Sequence, residues 1–151
     1  MSSSTSGFVV GSPANLYSCG YYRTTAWTTS SGPATFKYDL QVWDTFGPMY
    51  SAATGVFTAP LSGLYMISIT LGCMAAAPGD TFAAGITIAS VNKFSPTVAA
   101  EAGSTPIDTT VTFVERLQQN QQITTLQACT SAGLTGNTGV SNFFRASLLG
   151  Q

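Results

Sequence analysis

Hydrophobic and polar residues alternate over many short stretches of this chain, with the period of two that is typical of β-strands. The stretch 64–71 shows this most clearly, since its largest apolar residues fall at every second position. The face of this strand that we predict to be buried consists of Tyr65, Ile67, Ile69 and Leu71. Further predicted strands, separated by turn signals, cover 22–29, 38–43, 55–59, 82–91, 108–117, 121–129 and 141–149.

Helix signals are weak. The alanine-rich segments 74–77 and 98–102 are short and are bounded by proline or glycine, which favours loops over helices. Many short strands at nearly regular spacing, separated by glycine and proline turns, are typical of β-sandwiches and jelly rolls. The pattern therefore predicts an all-β protein.

The N-terminal part of the chain differs from the rest in composition. Residues 1–20 are rich in serine, glycine and proline around one apolar patch, Phe8, Val9 and Val10. We interpret 1–20 as a flexible N-terminal arm whose patch docks onto a partner, and 21–151 as one domain. The first residues lack the basic and long apolar segments of a secretory signal, so we expect none.

The composition favours self-association and argues against several partners. Charged residues make up 7% of the chain, against roughly 25% in an average soluble domain. The net charge is −1 and the basic residues are scattered, so we expect no nucleic acid and no membrane as a partner. A nearly neutral surface opposes contact between copies only weakly, which suits a protein that works in an assembly.

One segment of the chain resembles a known family. From Tyr38 the chain reads YDLQVWDTFGPMYSAATGVFTAPLSGLYMISI, which resembles the signature of the C1q-like globular head: an aromatic residue, a short strand, a tyrosine, then T-G-x-F-x-x-P-x-x-G-x-Y. The residues that match are Tyr38, Tyr50, Thr54, Gly55, Phe57, Pro60, Gly63 and Tyr65. The closing segment NFFRASLLG, 142–150, is similar to the last strand of the family. Asp44 stands where the family usually has asparagine, and no collagen-like stalk precedes the domain.

This resemblance implies a ten-stranded jelly-roll β-sandwich of the C1q and tumour-necrosis-factor superfamily, whose members typically form homotrimers. The residues that we assign to packing of the fold and the trimer are Tyr38, Tyr50, Phe57, Tyr65, Ile67, Phe144 and Leu148. The residue types support the motif, because Gly55 permits a positive φ in a tight turn and Phe57 is a large apolar anchor. We also expect Gly63 to turn the chain into the long strand that follows it.

The side chains that could act in catalysis or bind a metal form no recognisable site. The chain holds no histidine, which excludes Ser-His and Cys-His nucleophilic pairs and histidine-based metal sites. The six carboxylates fall in no motif, and we expect Glu115 and Arg116 to form a solvated or interface pair. We therefore predict no catalytic residue, no cofactor, no metal ligand and no enzymatic activity. Calcium is the exception that the family resemblance leaves open, with Asp44 and Asp80 as candidate ligands.

Three cysteines, Cys19, Cys73 and Cys129, leave at least one thiol unpaired within the chain. We expect all three to be small buried hydrophobic residues of a protein made in a reducing compartment. Cys19 falls in the irregular N-terminal part, so we expect it to be the most exposed of the three.

Together with the resemblance, these features favour a non-enzymatic homotrimer on the surface of a virus particle. The roles that we expect are a phage capsid decoration (cement) protein or the head of a fibre. The partner of Phe8, Val9 and Val10 would then be a major capsid or tail protein. The alternative is a secreted, extracellular C1q-like recognition module that binds glycan or protein ligands, which a processed signal, a disulfide or calcium dependence would favour.

Overall fold

The structure, a computed structural model, describes residues 17–73, 78–96, 98–99, 107–131 and 139–151. In these ranges the chain is all-β, as the sequence predicted, and forms twelve strands. They are β1 (Ser18–Arg23), β2 (Gly32–Thr35), β3 (Leu40–Asp44), β4 (Tyr50–Ser51), β5 (Val56–Thr58), β6 (Gly63–Cys73), β7 (Thr81–Ile88), β8 (Val91–Phe94), β9 (Val98–Ala99), β10 (Ile107–Leu117), β11 (Gln122–Cys129) and β12 (Gly139–Gly150). The described residues include no helix long and apolar enough to cross a membrane. The patch Phe8, Val9 and Val10 lies outside the described residues.

Eleven of the twelve described strands form two antiparallel sheets. The five-stranded sheet has the order β10-β6-β12-β1-β3, and the six-stranded sheet has the order β4-β5-β11-β7-β8, with β9 paired to the start of β7. The remaining strand, β2, leads into Phe36, whose N–H donates to the carbonyl of Thr125 on β11 at 2.8 Å. Most neighbouring strands are distant in sequence, as in a jelly roll. The described strands number twelve, against eight runs predicted from the alternation and ten implied by the resemblance. The short strands β2, β4 and β9 and the separate β8 were not predicted from the alternation.

The core lies between the two sheets and is rich in aromatic side chains. The face of β6 that we predicted to be buried is 0% exposed at each of its residues, Tyr65, Ile67, Ile69 and Leu71. Phe144 of β12 lies at the centre of the aromatic part, with its ring centroid 4.6 Å from that of Tyr50 and 6.1 Å from that of Phe57. Rings at these separations pack favourably beyond their burial alone.

The hydroxyl groups of the buried tyrosines have hydrogen-bond partners, which offsets the cost of burying them. The Tyr38 hydroxyl donates to the carbonyl of Thr70 at 3.3 Å, and the Tyr65 hydroxyl donates to the carbonyl of Leu61 at 2.9 Å. The hydroxyl oxygen of Tyr50 accepts from the Tyr38 N–H at 3.1 Å. Burial raises the pKa of Tyr38, and it raises the pKa of Tyr50 to about 12, so both hydroxyls stay protonated near neutral pH.

Two glycines of the C1q-like signature are required for different reasons. Gly55 has a φ of +74°, which confirms the predicted turn, and a Cβ there would lie 2.8 Å from the carbonyl oxygen of Phe36. Gly63 is the first residue of β6, after a bend at 60–62, and has no positive φ, so the chain enters this strand without a left-handed conformation. A Cβ on Gly63 would lie 2.5 Å from the carbonyl oxygen of Gly150. The absence of a side chain therefore lets the start of β6 approach the end of β12.

The first described strand corrects the domain boundary that we placed between residues 20 and 21. β1 begins at Ser18, and Cys19 is paired in register with Ala146 of β12 and Asp44 of β3. Our expectation that Cys19 is the most exposed cysteine is wrong, because the residue is 0% exposed. This strand was not predicted because one of its outward positions is a glycine, Gly20. The alternation between apolar and polar residues is therefore weak here.

All three cysteines lie in the described part of the chain, where they are buried and unpaired. Burial raises the pKa of the Cys73 thiol to about 11, and burial also raises the pKa of Cys19, with the negative charge of Asp44 adding to the effect. The thiols of Cys19 and Cys73 are therefore protonated near neutral pH, as expected for cysteines that act as small hydrophobic residues.

The run 82–91, which we predicted as one strand, is a hairpin. β7 ends at Ile88 and β8 begins at Val91, while Ala89 and Ser90 between them have φ of +47° and +65°. Positive φ at both central residues is typical of a type I′ turn, in which glycine and asparagine are preferred. Neither residue type is present here, so the sequence carried no signal for this turn.

We expect the substitution Ser90→Gly to raise the free energy of unfolding by about 0.5–1 kcal/mol, because glycine removes the steric cost of a Cβ at positive φ. Urea denaturation measures the effect, with Ser30→Gly as the control. Ser30 is exposed and has no positive φ, so glycine there should be neutral or destabilising. A Ser90→Gly protein that is no more stable than the Ser30→Gly protein would contradict the strain that we assign to the turn.

Candidate functional site: the outer face of the five-stranded sheet

The five-stranded sheet has a second face, directed away from the core, that alternate residues of its strands define. On β6 this face is formed by the half-buried residues that alternate with the buried ones. Residues paired in register point to the same side, so the pairing extends this face over the neighbouring strands. We define the outer face as Ser18, Gly20, Tyr22, Leu40, Trp43, Leu64, Met66, Ser68, Thr70, Asp108, Thr110, Thr112, Val114, Arg116, Phe143, Arg145 and Ser147.

One end of the outer face is aromatic. The ring centroid of Phe143 lies 4.8 Å from that of Tyr22 and 5.8 Å from that of Trp43. The Trp43 ring covers Gly20, where a Cβ would lie 2.4 Å from the ring, and the Arg145 guanidinium lies 5.9 Å from the Trp43 centroid. Contacting rings with one cation–π contact form a patch whose side chains already hold one another in place.

The other end of the outer face is aliphatic. Met66 of β6 is paired in register with Val114 of β10, and Leu64 is paired with Arg116. Val114 is 55% exposed, and Leu149 beside this end is 45% exposed. Single exposed aliphatic residues are ordinary on a protein surface, but several on one face of adjacent strands mark an interaction site.

A band of hydroxyl groups separates the two apolar ends. The hydroxyl oxygens of Thr70 and Thr110 lie 3.0 Å apart, and the Thr112 hydroxyl donates to the Ser68 hydroxyl at 3.3 Å. Because these hydroxyls pair with one another across the strands, covering them with another protein costs less than covering unpaired hydroxyls.

The outer face is suited to burial against another protein. Its aromatic and aliphatic ends supply apolar area, its middle is polar but paired, and its charged members are Asp108, Arg116 and Arg145. Protein interfaces are likewise depleted of charge at their centre and enriched in aromatic residues, methionine and arginine.

The seven residues that we assigned to packing lie inside a single chain. None is more than 2% exposed: Tyr38, Tyr50, Phe57, Tyr65, Ile67, Phe144 and Leu148. Any contact between copies would therefore be made by other residues. Sequence reasoning missed Met66, Val114 and Phe143 as surface candidates, although they occupy the alternate positions of the same strands.

The carboxylates of the first loop and of β3 have structural contacts. Asp39 accepts hydrogen bonds from the N–H groups of Thr24 at 2.7 Å and Thr25 at 2.9 Å, and it lies 3.7 Å from Arg23. Partial burial acts to raise the pKa of Asp39, but these hydrogen bonds and the nearby guanidinium lower it below its usual value. Oδ2 of Asp44 accepts from the N–H of Met49 at 2.8 Å.

The two candidate calcium ligands lie far apart in the fold. Asp44 is the last residue of β3, and the strand register places it in the same row across the sheet as Ile67 of β6. Asp80 precedes β7 and lies near Cys73, at the other end of the row's strand β6. At about 3.3 Å per residue, Ile67 and Cys73 are roughly 20 Å apart along the strand. The structure therefore does not bring Asp44 and Asp80 together. Within the described residues, no three histidine, cysteine, aspartate or glutamate side chains cluster closely enough to hold a metal ion.

Glu115 pairs with a different cation from the one that we expected. Its Oε1 lies 2.6 Å from Nζ of Lys93 on β8, while Arg116 points to the opposite face of β10. The ion pair thus joins an edge strand of one sheet to an edge strand of the other. Both side chains remain partly exposed, so the pair adds at most about 1 kcal/mol to stability.

Comparison of the sequence with models of protein families gives no match, and comparison with curated proteins gives none either. The structure, in contrast, is similar to several solved structures. The globular domain of zebrafish complement 1qA protein has a TM-score of 0.67 at 12% identity, over 88% of this chain and 97% of that one. Eiger TNF from S. frugiperda has a TM-score of 0.65 at 10% identity, over 89% of this chain and 93% of that one. Murine APRIL at pH 5.0 has a TM-score of 0.64 at 10% identity, over 87% of this chain and 98% of that one.

At such low identities the likeness shows the fold alone. The chain has the jelly-roll fold of the C1q and tumour-necrosis-factor type, which confirms the resemblance that the signature beginning at Tyr38 indicated.

Proposed function

We propose that this protein is a non-enzymatic structural protein that works as a homotrimer, with the outer face at the contacts between subunits. The observation that carries this role is the partly exposed apolar surface that extends across the five-stranded sheet from β10 to β3. Rings such as Phe143 and Trp43 and aliphatic residues such as Val114 share one face. Surfaces of this kind are uncommon on monomeric proteins and mark sites of association.

Three considerations favour copies of the same chain as the partner. The superfamily that the signature resembles typically forms homotrimers. The net charge of −1 leaves little repulsion between copies. A cyclic arrangement in which each subunit covers part of the outer face of the next closes on itself, so that no copy is left with its apolar surface in water.

We propose that the protein has no enzymatic activity because of the residue types that it contains and the contacts of its carboxylates. No histidine is present in the chain, and four of its carboxylates, those of Asp39, Asp44, Asp80 and Glu115, have structural partners. Asp39 caps the loop that follows β1, Asp80 accepts a hydrogen bond from Ser131, and Glu115 pairs with Lys93. We propose no cofactor, and calcium remains the alternative to be tested by adding a chelator.

For the location we propose the outside of a virus particle, where the trimer acts as a phage decoration (cement) protein or a fibre head. Low charge, a surface rich in hydroxyl groups, and an apolar patch in the N-terminal arm support this role. The patch Phe8, Val9 and Val10 would dock onto a major capsid or tail protein by burial or by strand addition.

We expect deletion of residues 2–15 to leave the trimer folded and to abolish its binding to particles. The deletion stops before β1, because removal of the fully buried Cys19 would disturb the fold. Occupancy is measured by mixing the protein with purified particles and sedimenting them, and circular dichroism and light scattering check fold and oligomer. Unchanged occupancy would rule out the arm as the docking element. Secretion of the native protein, with none on particles, would favour the extracellular recognition module instead.

A further inference from the structure

An apolar groove lies at the end of the sandwich where the described chain begins. It has a volume of about 230 Å³ and is lined by Phe46, Gly47, Pro48, Met49, Thr58, Pro60 and Asn120. Phe46 is 58% exposed, and Pro48 in the same loop is also exposed. None of the lining residues belongs to the outer face, so the groove is a separate apolar surface.

Backbone hydrogen bonds hold the walls of the groove in place. The N–H of Thr58 donates to the carbonyl of Met49 at 2.7 Å, and the N–H of Asn120 donates to the carbonyl of Ala59 at 2.8 Å. The loop before β4, the loop after β5 and the turn between β10 and β11 are therefore fixed relative to one another. A groove that is already formed loses little entropy when a segment binds to it.

The N-terminal arm enters the fold at the rim of this groove. Tyr17, the first described residue, has its ring centroid 4.9 Å from that of Phe46, and its carbonyl accepts from the N–H of Leu148 at 2.9 Å. The N–H of Ser18 donates to the hydroxyl of Thr45 at 2.9 Å, and the N–H of Thr45 donates to the carbonyl of Ser18 at 3.0 Å. The point at which the arm leaves the domain is therefore fastened to the loop that carries Phe46.

The apolar patch of the arm is close enough in sequence to reach the groove. Six residues, 11–16, separate Val10 from Tyr17, and they span at most about 25 Å when fully extended. They include Gly11 and Pro13, which are residue types that favour a reversal of the chain direction. A short linker keeps the patch beside the groove at an effective concentration in the millimolar range, so even a weak apolar contact is populated.

We infer that this groove binds the apolar patch of the arm of the same chain. The ring of Phe8 packs against the exposed surfaces of Phe46 and Pro48, which removes apolar area of both partners from water. Neither the groove lining nor residues 2–16 include a charged side chain, so the contact buries no charge. This placement goes beyond the structural role proposed above and does not depend on it. On a particle the patch would leave the groove for its capsid or tail partner, so the groove is its resting site.

The test is photo-cross-linking of the full chain with p-benzoylphenylalanine in place of Phe8. The irradiated protein is separated on a denaturing gel, and mass spectrometry identifies the cross-linked peptides. We expect the monomer band to contain a cross-link from position 8 to 46–49 or 58–60. Phe46→Ser should lower the yield of this cross-link by about threefold or more, because the groove then lacks its largest apolar contact.

The matched control is Val91→Ser. Val91 is exposed to the same extent as Phe46 but lies on β8, outside the groove, so its substitution should leave the cross-link unchanged. Both variants alter exposed side chains and should remain folded, which circular dichroism verifies. A main product in the dimer band would place the patch on a neighbouring copy. Cross-links that are absent, scattered over the chain or unaffected by Phe46→Ser would show that the patch does not bind the groove, and any of these results overturns the inference. Sedimentation with particles, measured in parallel, tests the particle-bound role separately.

Discussion

Replacing Val114 with Asp is expected to dissociate the trimer that we propose into folded monomers. Val114 is 55% exposed, lies on β10 and is paired in register with Met66 on the outer face. A carboxylate buried at a subunit contact without a partner costs about 3–5 kcal/mol, which weakens association by a factor of 10² or more. Because every subunit of a closed trimer carries the substitution, each contact in the ring is affected.

The matched control for this experiment is Val91→Asp. Val91 is 58% exposed and lies on β8 of the six-stranded sheet, outside the outer face. The two variants therefore carry the same change at similar exposure, and Val91→Asp should stay trimeric. Light scattering after size exclusion measures the mass at micromolar concentration, and circular dichroism verifies the fold. A trimeric Val114→Asp protein, or dissociation by both variants, would rule out the outer face as the interface.

The second large effect is expected for Phe144→Ala, which should lower the free energy of unfolding by about 3–5 kcal/mol. The ring of Phe144 is 0% exposed and contacts Tyr38, Tyr50 and Phe57 at centroid separations of 5.8, 4.6 and 6.1 Å. Alanine leaves a cavity between rings that the surrounding strands cannot close without moving. Since whole domains have only about 5–15 kcal/mol of stability, the variant should be marginally folded at room temperature.

Phe143→Ala serves as the neighbouring control, because Phe143 lies on the opposite side of β12 and is partly exposed. In dilute protein, where association contributes little, its urea midpoint should fall much less than that of Phe144→Ala. In concentrated protein it should weaken assembly, because it removes a ring from the outer face. Equal losses for the two variants in dilute protein would mean that the assignment of the two faces of β12 is wrong.

The strands with strong alternation were predictable to within two residues. Runs 64–71, 108–117 and 121–129 correspond to β6, β10 and β11, which are long and have one clearly apolar face. Alternation predicts such strands well because burial of one face repeats at every second residue. The same reasoning placed Ile67 and Phe144 in the core, where both are 0% exposed.

Two strands were predicted with the wrong limits, for local reasons. The run 82–91 continued through Ala89 and Ser90, because a turn made of these residues carries neither glycine nor asparagine. The prediction 22–29 missed the start of β1 at Ser18 and extended beyond its end at Arg23. At β1, local residue preference was overridden by pairing with the distant strands β12 and β3.

Only part of the candidate site could be predicted from the sequence. The C1q-like signature directed attention to the residues that build the core, whereas an interaction surface uses the alternate positions of the same strands.

By itself the sequence determined the all-β class, the inner face of the long strands, the signature of the fold and the lack of histidine chemistry, because each depends on residue type and local period. The tertiary structure decided which residues meet: Met66 with Val114, and Tyr22 with Phe143. The physical reason is that strand order and register in a jelly roll are set by contacts between distant segments. A period of two fixes the side to which a residue points, but not its neighbour across the sheet.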